Sequence, residues 1–367
     1  MKVLVVGLGS RGGIGRYEHL LKAGLDELAS QGSLEWRGVW RHAHPTYLDP
    51  QSRTVEVPPD GSVLSLLQSV SRTTRHWRPD VVYFTHVNLA RAAPLLPLLG
   101  IRAPYVVGTL GVEVWERLRW TKRLPLRRAA SVLAISEYTR ARVVGVQGVP
   151  EARCKTIHLA LEEHWVTTAD RLRAEANGAR SPAPCSLLSV CRLERDDRYK
   201  GVDWVLRAIA ELAPAHPDLR YTVVGDGDDL LYLRGLAAEL GLQQRVTFTG
   251  ALDHDDLLAA YRDADLFVLP TRREGFGLVF LEAMAFRKPI IAAAAAGAVD
   301  VVSSGEHGLL IDGEDELAAA IATLLRDRDL AKRMGEAGYR AVTETFSFDA
   351  FVSRLWALLR GSPAGAA

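Results

Sequence analysis

"DLFVLPTRREGFGLVFLEAM", residues 265–284, runs an apolar strand through Pro270 into a glycine turn, Gly275 and Gly277, and out into a helix with an apolar face. A strand feeding a helix through a glycine-rich turn is half of a βαβ unit, which places the next strand parallel to the first. The stretch also carries two carboxylates, Glu274 before the glycines and Glu282 inside the apolar run. Solubility requires neither placement. A ligand would: glycines admit it to the backbone N–H groups of a helix N-terminus, and the carboxylates accept hydrogen bonds from its hydroxyls. The competing readings are a Glu274 that complements the helix dipole and a Glu282 that is merely buried and paired.

The same rhythm recurs outward from this stretch. "KVLVVG" (2–7), "DVVYFTH" (80–86), "YVVGT" (105–109) and "SVLAIS" (131–136) are apolar strands, each followed by a helical pattern. After a polar, weakly patterned stretch at 167–184 it restarts with "SLLSVCRL", "YTVVGDG", "RVTFTG", "DLFVLP" and "PIIAAA". Continuous apolar strands alternating with helices predict parallel sheets covered on both faces. We read residues 1–166 and 167–345 as two doubly wound α/β domains, with 167–184 starting as a linker, 346–360 as an amphipathic helix and the tail beyond it as frayed.

Composition bounds the function. With 48% hydrophobic and 24% charged residues, the chain reads as soluble and globular. Three cysteines without metal-ligand spacing fit a reducing, cytoplasmic setting. No run approaches the roughly 20 apolar residues of a membrane span, and the first apolar run is too short for a signal segment. A net charge of +1 conceals an asymmetry: residues 1–150 hold 20 Lys and Arg against 11 acids, the rest 25 against 33.

Gly7, Gly9 and Gly12 spell G-x-G-x-x-G after the first strand, a dinucleotide fingerprint. That fingerprint wants an acid at the end of the second strand, where this chain has Trp40 and Arg41. An NAD(P)-dependent dehydrogenase therefore stands as an alternative. The glycines continue through Gly13 and Gly15, a turn suited to any phosphate. In "VCRLERDDRYKG", Arg192 and Lys200 follow a strand end, where open α/β sheets bind ligands. Two cations there suit a diphosphate, unless they only pair with Glu194, Asp196 and Asp197.

Taken together these residues resemble the family 4 glycosyltransferases, retaining enzymes of GT-B fold. "GGIGRY", "GVEVW", "AISEYTRARV", "R-x7-KG", "VVGDGDD", "FTG", "PTRREGFGLVFLEAM" and "GEHGLLI" fall in the family's order over nearly the whole chain. The resemblance implies two Rossmann-like domains facing across a cleft, the 346–360 helix crossing back to the first, and transfer of a hexose from a nucleoside-diphosphate sugar. The acceptor is a glycan, a lipid-linked molecule or a small molecule; nucleic acid is not implied. By the same resemblance Arg192 and Lys200 hold the diphosphate and Glu282 the ribose. Glu274, with the backbone of Gly275, Phe276, Gly277 and Leu278, holds the sugar. Gly13 and Gly15 close over the phosphates, and Gly225 and Gly250 complete the donor site.

Leu110 stands where many members have a histidine, so His86, ending the strand "VVYFTH", is the candidate polar group near the reacting sugar. A non-catalytic nucleotide-sugar-binding protein is the alternative that this departure supports. The D-x-D runs at 226–229 and 253–256 read as helix N-caps, and neither a metal nor a cofactor is expected. Finally, "WERLRWTKRLPLRRAA" (115–130) interleaves six cations with tryptophan and leucine. That is the composition of an element resting peripherally on an anionic membrane surface, or of a helix packed on the core, or of a site for a soluble anion.

Overall fold

The computed structural model describes residues 1–10, 12–42, 55–56, 62–176 and 185–361. They form two compact units, Met1–Ala160 together with the chain from Phe348 onward, and Leu161–Ser347.

In the first unit, β1 (Lys2–Gly7), β2 (Glu35–Trp40), β3 (Val55–Glu56), β4 (Val81–Phe84), β5 (Tyr105–Thr109), β6 (Ser131–Ala134) and β7 (Cys154–Thr156) make one parallel sheet. Its order is β3-β2-β1-β4-β5-β6-β7. β4 and β6 are buried along their whole length, as strands covered on both faces must be. Trp40 is fully buried at the end of β2, and a Cβ on Gly7 or Gly38 would run into its indole. Gly7 thus makes room for a core tryptophan, which accounts for the first glycine of the G-x-G-x-x-G without any ligand. The C-terminal helix Phe348–Arg360 belongs to this unit. Its Phe351 and Leu355 lie against Gly24 of the helix Gly12–Ser30, where a Cβ would stand 3.1 and 3.2 Å from them.

In the second unit, β8 (Ser186–Val190), β9 (Arg220–Val224), β10 (Val246–Gly250), β11 (Leu266–Leu269), β12 (Ile290–Ala293) and β13 (Gly308–Ile311) are again all parallel. The order is β10-β9-β8-β11-β12-β13. The linker reading of 167–184 is corrected here. Residues through Ala176 continue a helix, Glu163–Ala176, that buries Trp165 and Ala169 and ties Asp170 to Arg287 at 2.8 Å and to the Tyr339 hydroxyl at 2.5 Å. Its polar face hid that buried stripe. Residues 177–184, and the tail from 362, lie outside the described residues.

Each sheet reverses its strand order once, between β1 and β4 in the first unit and between β8 and β11 in the second. The crevice outside the carboxyl ends of such a strand pair is where doubly wound sheets bind ligands.

Candidate active site

The second unit's crevice is built by the chain leaving β8 and β11. After β8, a 3-10 turn, Arg195–Lys200, is anchored by the Arg198 guanidinium, which grips buried Asp229 through contacts of 2.6–3.0 Å and stacks over Tyr232 at 4.0 Å. Gly201 closes the turn with a φ of 75° while a Cβ there would lie 2.8 Å from Pro270 Cγ, so only glycine lets the turn sit against the end of β11. The turn delivers Lys200 to Glu274: Nζ donates to Oε2 at 2.6 Å, with side chains 15% and 18% exposed. Burial pulls the Lys200 ammonium down, but the charge and hydrogen bond of Glu274 outweigh it and hold the group above its usual range. The lysine is therefore a fixed positive charge. Neighbouring Cys191 is pushed up to about 12 by burial, which keeps it a thiol and removes it as a nucleophile. Arg192 is 72% exposed and forms an ion pair with Asp197 at 2.9 Å.

Beyond Glu274, Gly277 (φ 97°) caps the helix Leu278–Ala285. Phe280 N–H donates to the Gly277 carbonyl at 2.9 Å, and the N–H groups of Leu278 and Val279 ahead of it have no intrahelical acceptor and form an anion-binding end. The Glu274 carbonyl accepts from Gly297 N–H at 2.8 Å, pinning the turn to the loop after β12. Phe276 is 2% exposed and packs edge-on against Phe346 at 5.9 Å, so its side chain belongs to the core and only its backbone is available to a ligand. Glu282 is 1% exposed and accepts from the Tyr261 hydroxyl at 2.6 Å. The buried, paired reading is thus its state in this structure. Gly225 and Gly250 join at the β9 and β10 ends, Gly225 N–H donating to the Gly250 carbonyl at 2.9 Å.

The first unit's crevice differs from the sequence reading. The helix begins at Gly12, which leaves Gly13 exposed as its second residue and Gly15 buried within it. The preceding backbone does not point outward. Leu8 and Gly9 N–H donate to the Glu18 carboxylate at 2.7 and 2.8 Å, Ser10 N–H joins them, and the Thr85 hydroxyl donates at 2.5 Å. The N–H groups of Leu8, Gly9 and Ser10 are thus turned into the protein and are not offered to a pyrophosphate, which leaves the dehydrogenase reading with the helix start at Gly12 and Gly13 alone. Sequence reasoning missed Glu18 because its partners lie across a turn and on another strand.

His86 is 3% exposed beside Thr85. Its Nδ1 accepts from Asn88 N–H at 3.1 Å, which puts the ring proton on Nε2. Burial, helped by Lys122, lowers its pKa to about 4. His86 is therefore a neutral hydrogen-bond donor at neutral pH. A folded-state pKa below the unfolded value of about 6.5 makes stability fall as pH drops from about 6.5 toward 4, because only the unfolded chain takes the proton. His86→Gln is expected to lessen the stability lost between pH 7 and pH 5 by about 2 kcal/mol. Denaturant midpoints at both pH values check this, and equal losses in wild type and variant would contradict it. After β5, Leu110 N–H donates to Glu113 at 2.5 Å, so a half-buried carboxylate collars the loop where a histidine was looked for.

The acidic runs do structural work. Asp253 caps its helix by accepting from Asp256 N–H at 2.9 Å, whereas Asp229 grips Arg198 in place of capping and Asp228 accepts from Arg195 N–H at 2.8 Å. Among the described residues no three His, Cys, Asp or Glu side chains are grouped to hold a metal ion.

Two doubly wound units, each with a strand-end crevice and one of them holding a lysine–glutamate pair, are what a GT-B fold is built from. Residues 185–341 match the family of group 1 glycosyl transferases and residues 12–160 the glycosyl transferase 4-like domain. The chain is 30% identical to a GDP-mannose-dependent alpha-(1-6)-phosphatidylinositol monomannoside mannosyltransferase of Mycolicibacterium smegmatis, over 96% of this chain and 95% of that one. The enzyme of the same name from Mycobacterium tuberculosis is 33% identical over 75% of this chain and 74% of its own. The crystal structure of Anabaena HepE in complex with UDP superposes with a TM-score of 0.79 at 22% identity, covering 98% of this chain and 99% of that one. The chain belongs to the group 1, family 4-like glycosyltransferases and is a glycosyltransferase.

Proposed function

We propose that the chain moves a hexose from a nucleoside-diphosphate sugar to a lipid-linked or glycan acceptor, with retention at the anomeric carbon. The observation that carries this is the Lys200–Glu274 pair at the crevice between β8 and β11, beside the helix end at Leu278. A diphosphate entering there takes the Lys200 ammonium and the helix N–H groups. Glu274 is then released to accept from sugar hydroxyls. Arg192 adds an exposed cation, and Glu282 takes the ribose once its Tyr261 contact shifts. Bond cleavage leaves negative charge on the departing diphosphate, and these cations stabilise it in place. The acceptor hydroxyl attacks from the leaving-group side and passes its proton to the departing diphosphate, which gives retention. No metal or organic cofactor enters this scheme. The mycobacterial relatives make GDP-mannose the first donor to test. Proton NMR of the product should show an α linkage from an α-linked donor; a β product would overturn the retaining mechanism.

A lipid acceptor is supported by the surface of the first unit. Residues 115–130 do not form one amphipathic helix. Trp115 is buried, its indole N–H donating to Thr139 at 3.1 Å, and the helix Trp120–Arg128 starts afresh. Trp120 is 76% exposed on that helix, and Leu98 is 81% exposed on the 3-10 helix Leu89–Leu99 that packs beside it. Arg117, Arg119 and Arg128 of the same stretch are exposed, whereas Arg123 is held by the Gln147 carbonyl at 2.9 Å. No described helix is long and apolar enough to cross a membrane. The surface fits peripheral contact with anionic lipid at a cytoplasmic membrane face, each cation contributing about 1 kcal/mol. Flotation with phosphatidylglycerol-containing vesicles should show binding that falls with salt and is lost in Leu98→Ser/Trp120→Ser. Absence of wild-type binding at low salt would leave a soluble acceptor.

A further inference from the structure

We propose that Glu18 is a positioning residue that locks the two lips of the first unit's crevice into one shape. The crevice lies where the strand order reverses, between β1 and β4. One lip is the turn Leu8–Ser10 after β1; the other is Thr85–His86 after β4. Glu18 comes from the helix Gly12–Ser30 and reaches both, taking three backbone N–H groups from the first lip and the Thr85 hydroxyl from the second. It is 2% exposed, so the carboxylate is withdrawn from water and its neighbours supply the donors that water no longer does.

The adjoining residue repeats the tie. The Tyr17 and Tyr83 hydroxyls meet at 2.5 Å, joining the same helix turn to the same strand. An apolar side chain at position 18 would fill the space without the cost of burying a carboxylate, but it would leave the turn's N–H groups unpaired. What the carboxylate adds is a defined turn. With Leu8, Gly9 and Ser10 directed inward, the crevice presents the exposed Gly12 and Gly13 at the helix start, and the neutral His86 is carried on the same tied backbone. Glu18 touches neither donor nor acceptor; it acts through the residues it holds.

The kinetic part of the test rests on the glycosyl-transfer reading, and the hydrogen-exchange part does not. Glu18→Gln, Thr85→Val and Thr85→Ser are compared with wild type in amide exchange at residues 8–10, kcat/KM for transfer, affinity for the bare nucleoside diphosphate, and Tm. Glu18→Gln and Thr85→Val should speed exchange and lower kcat/KM, each about tenfold or more, because each removes a charge-assisted hydrogen bond. Nucleoside-diphosphate affinity should stay within about twofold. Thr85→Ser, which keeps the hydroxyl, should retain both exchange protection and kcat/KM. Unchanged exchange and turnover in Thr85→Val would overturn the proposal. So would a fall in Tm with kcat/KM retained, or equal damage from serine and valine. If Glu18→Gln does not fold, the two Thr85 variants decide by the same criteria. If wild type transfers no sugar, the functional reading falls, and exchange alone decides the role of Glu18.

Discussion

Glu274→Ala is expected to lower glycosyl transfer by about a thousandfold or more while leaving affinity for the bare nucleoside diphosphate within about threefold. The asymmetry follows from where the carboxylate sits. Glu274 precedes the helix Leu278–Ala285, and its carbonyl accepts from Gly297 N–H at 2.8 Å, so the backbone that carries the carboxylate is placed before any ligand arrives. An oriented acceptor of sugar hydroxyls acts on the group that is moving, and its loss appears in turnover. The nucleotide instead meets Lys200, whose ammonium is freed when the carboxylate is gone. Affinity for a diphosphate should accordingly hold or rise. Steady-state kinetics with calorimetry separates the two quantities, and equal losses in both would assign Glu274 to the nucleotide or to the fold.

The second large effect distinguishes two cations that look alike in the sequence. Lys200→Ala should weaken the nucleoside-diphosphate sugar by about 10- to 100-fold, the range of a charge-assisted hydrogen bond worth about 1.5–3 kcal/mol. Arg192→Ala should cost less, about threefold to tenfold. Lys200 is 15% exposed and fixed by the Gly201 turn, whereas Arg192 is 72% exposed and pairs with Asp197. A preorganised, partly desolvated charge loses little freedom on binding and is screened little by water. Calorimetric titration of both variants measures the order, and a larger loss at Arg192 would contradict it.

Much of this was legible beforehand because it follows local rules. Apolar strands such as 81–84 and 266–269, each followed by a helix, define parallel sheets without any long-range knowledge. Gly201 and Gly277 marked turns at the same strand ends that hold Lys200 and Glu274. What could not be read needed tertiary partners. Nothing local to Glu18 signals its role, which depends on Thr85, far along the chain. Glu282 depends on Tyr261 in the same way. The G-x-G-x-x-G misled because a glycine that clears space for Trp40 is written with the same letter as one that admits a phosphate. The polar stretch after residue 166 misled because two buried residues, Trp165 and Ala169, suffice to seat a helix.

The central claim is that the crevice between β8 and β11 binds a nucleoside-diphosphate hexose through Lys200 and Glu274. Calorimetric titration of the wild-type chain with a panel of such donors, GDP-mannose first, tests it most directly. The account predicts saturable binding of at least one donor at one site, with a dissociation constant of about 1 μM to 1 mM, weakened about tenfold or more in the Lys200→Ala/Glu274→Ala double variant. Heat from a nicotinamide dinucleotide and none from any sugar nucleotide would contradict it, as would donor binding that the double substitution leaves unweakened.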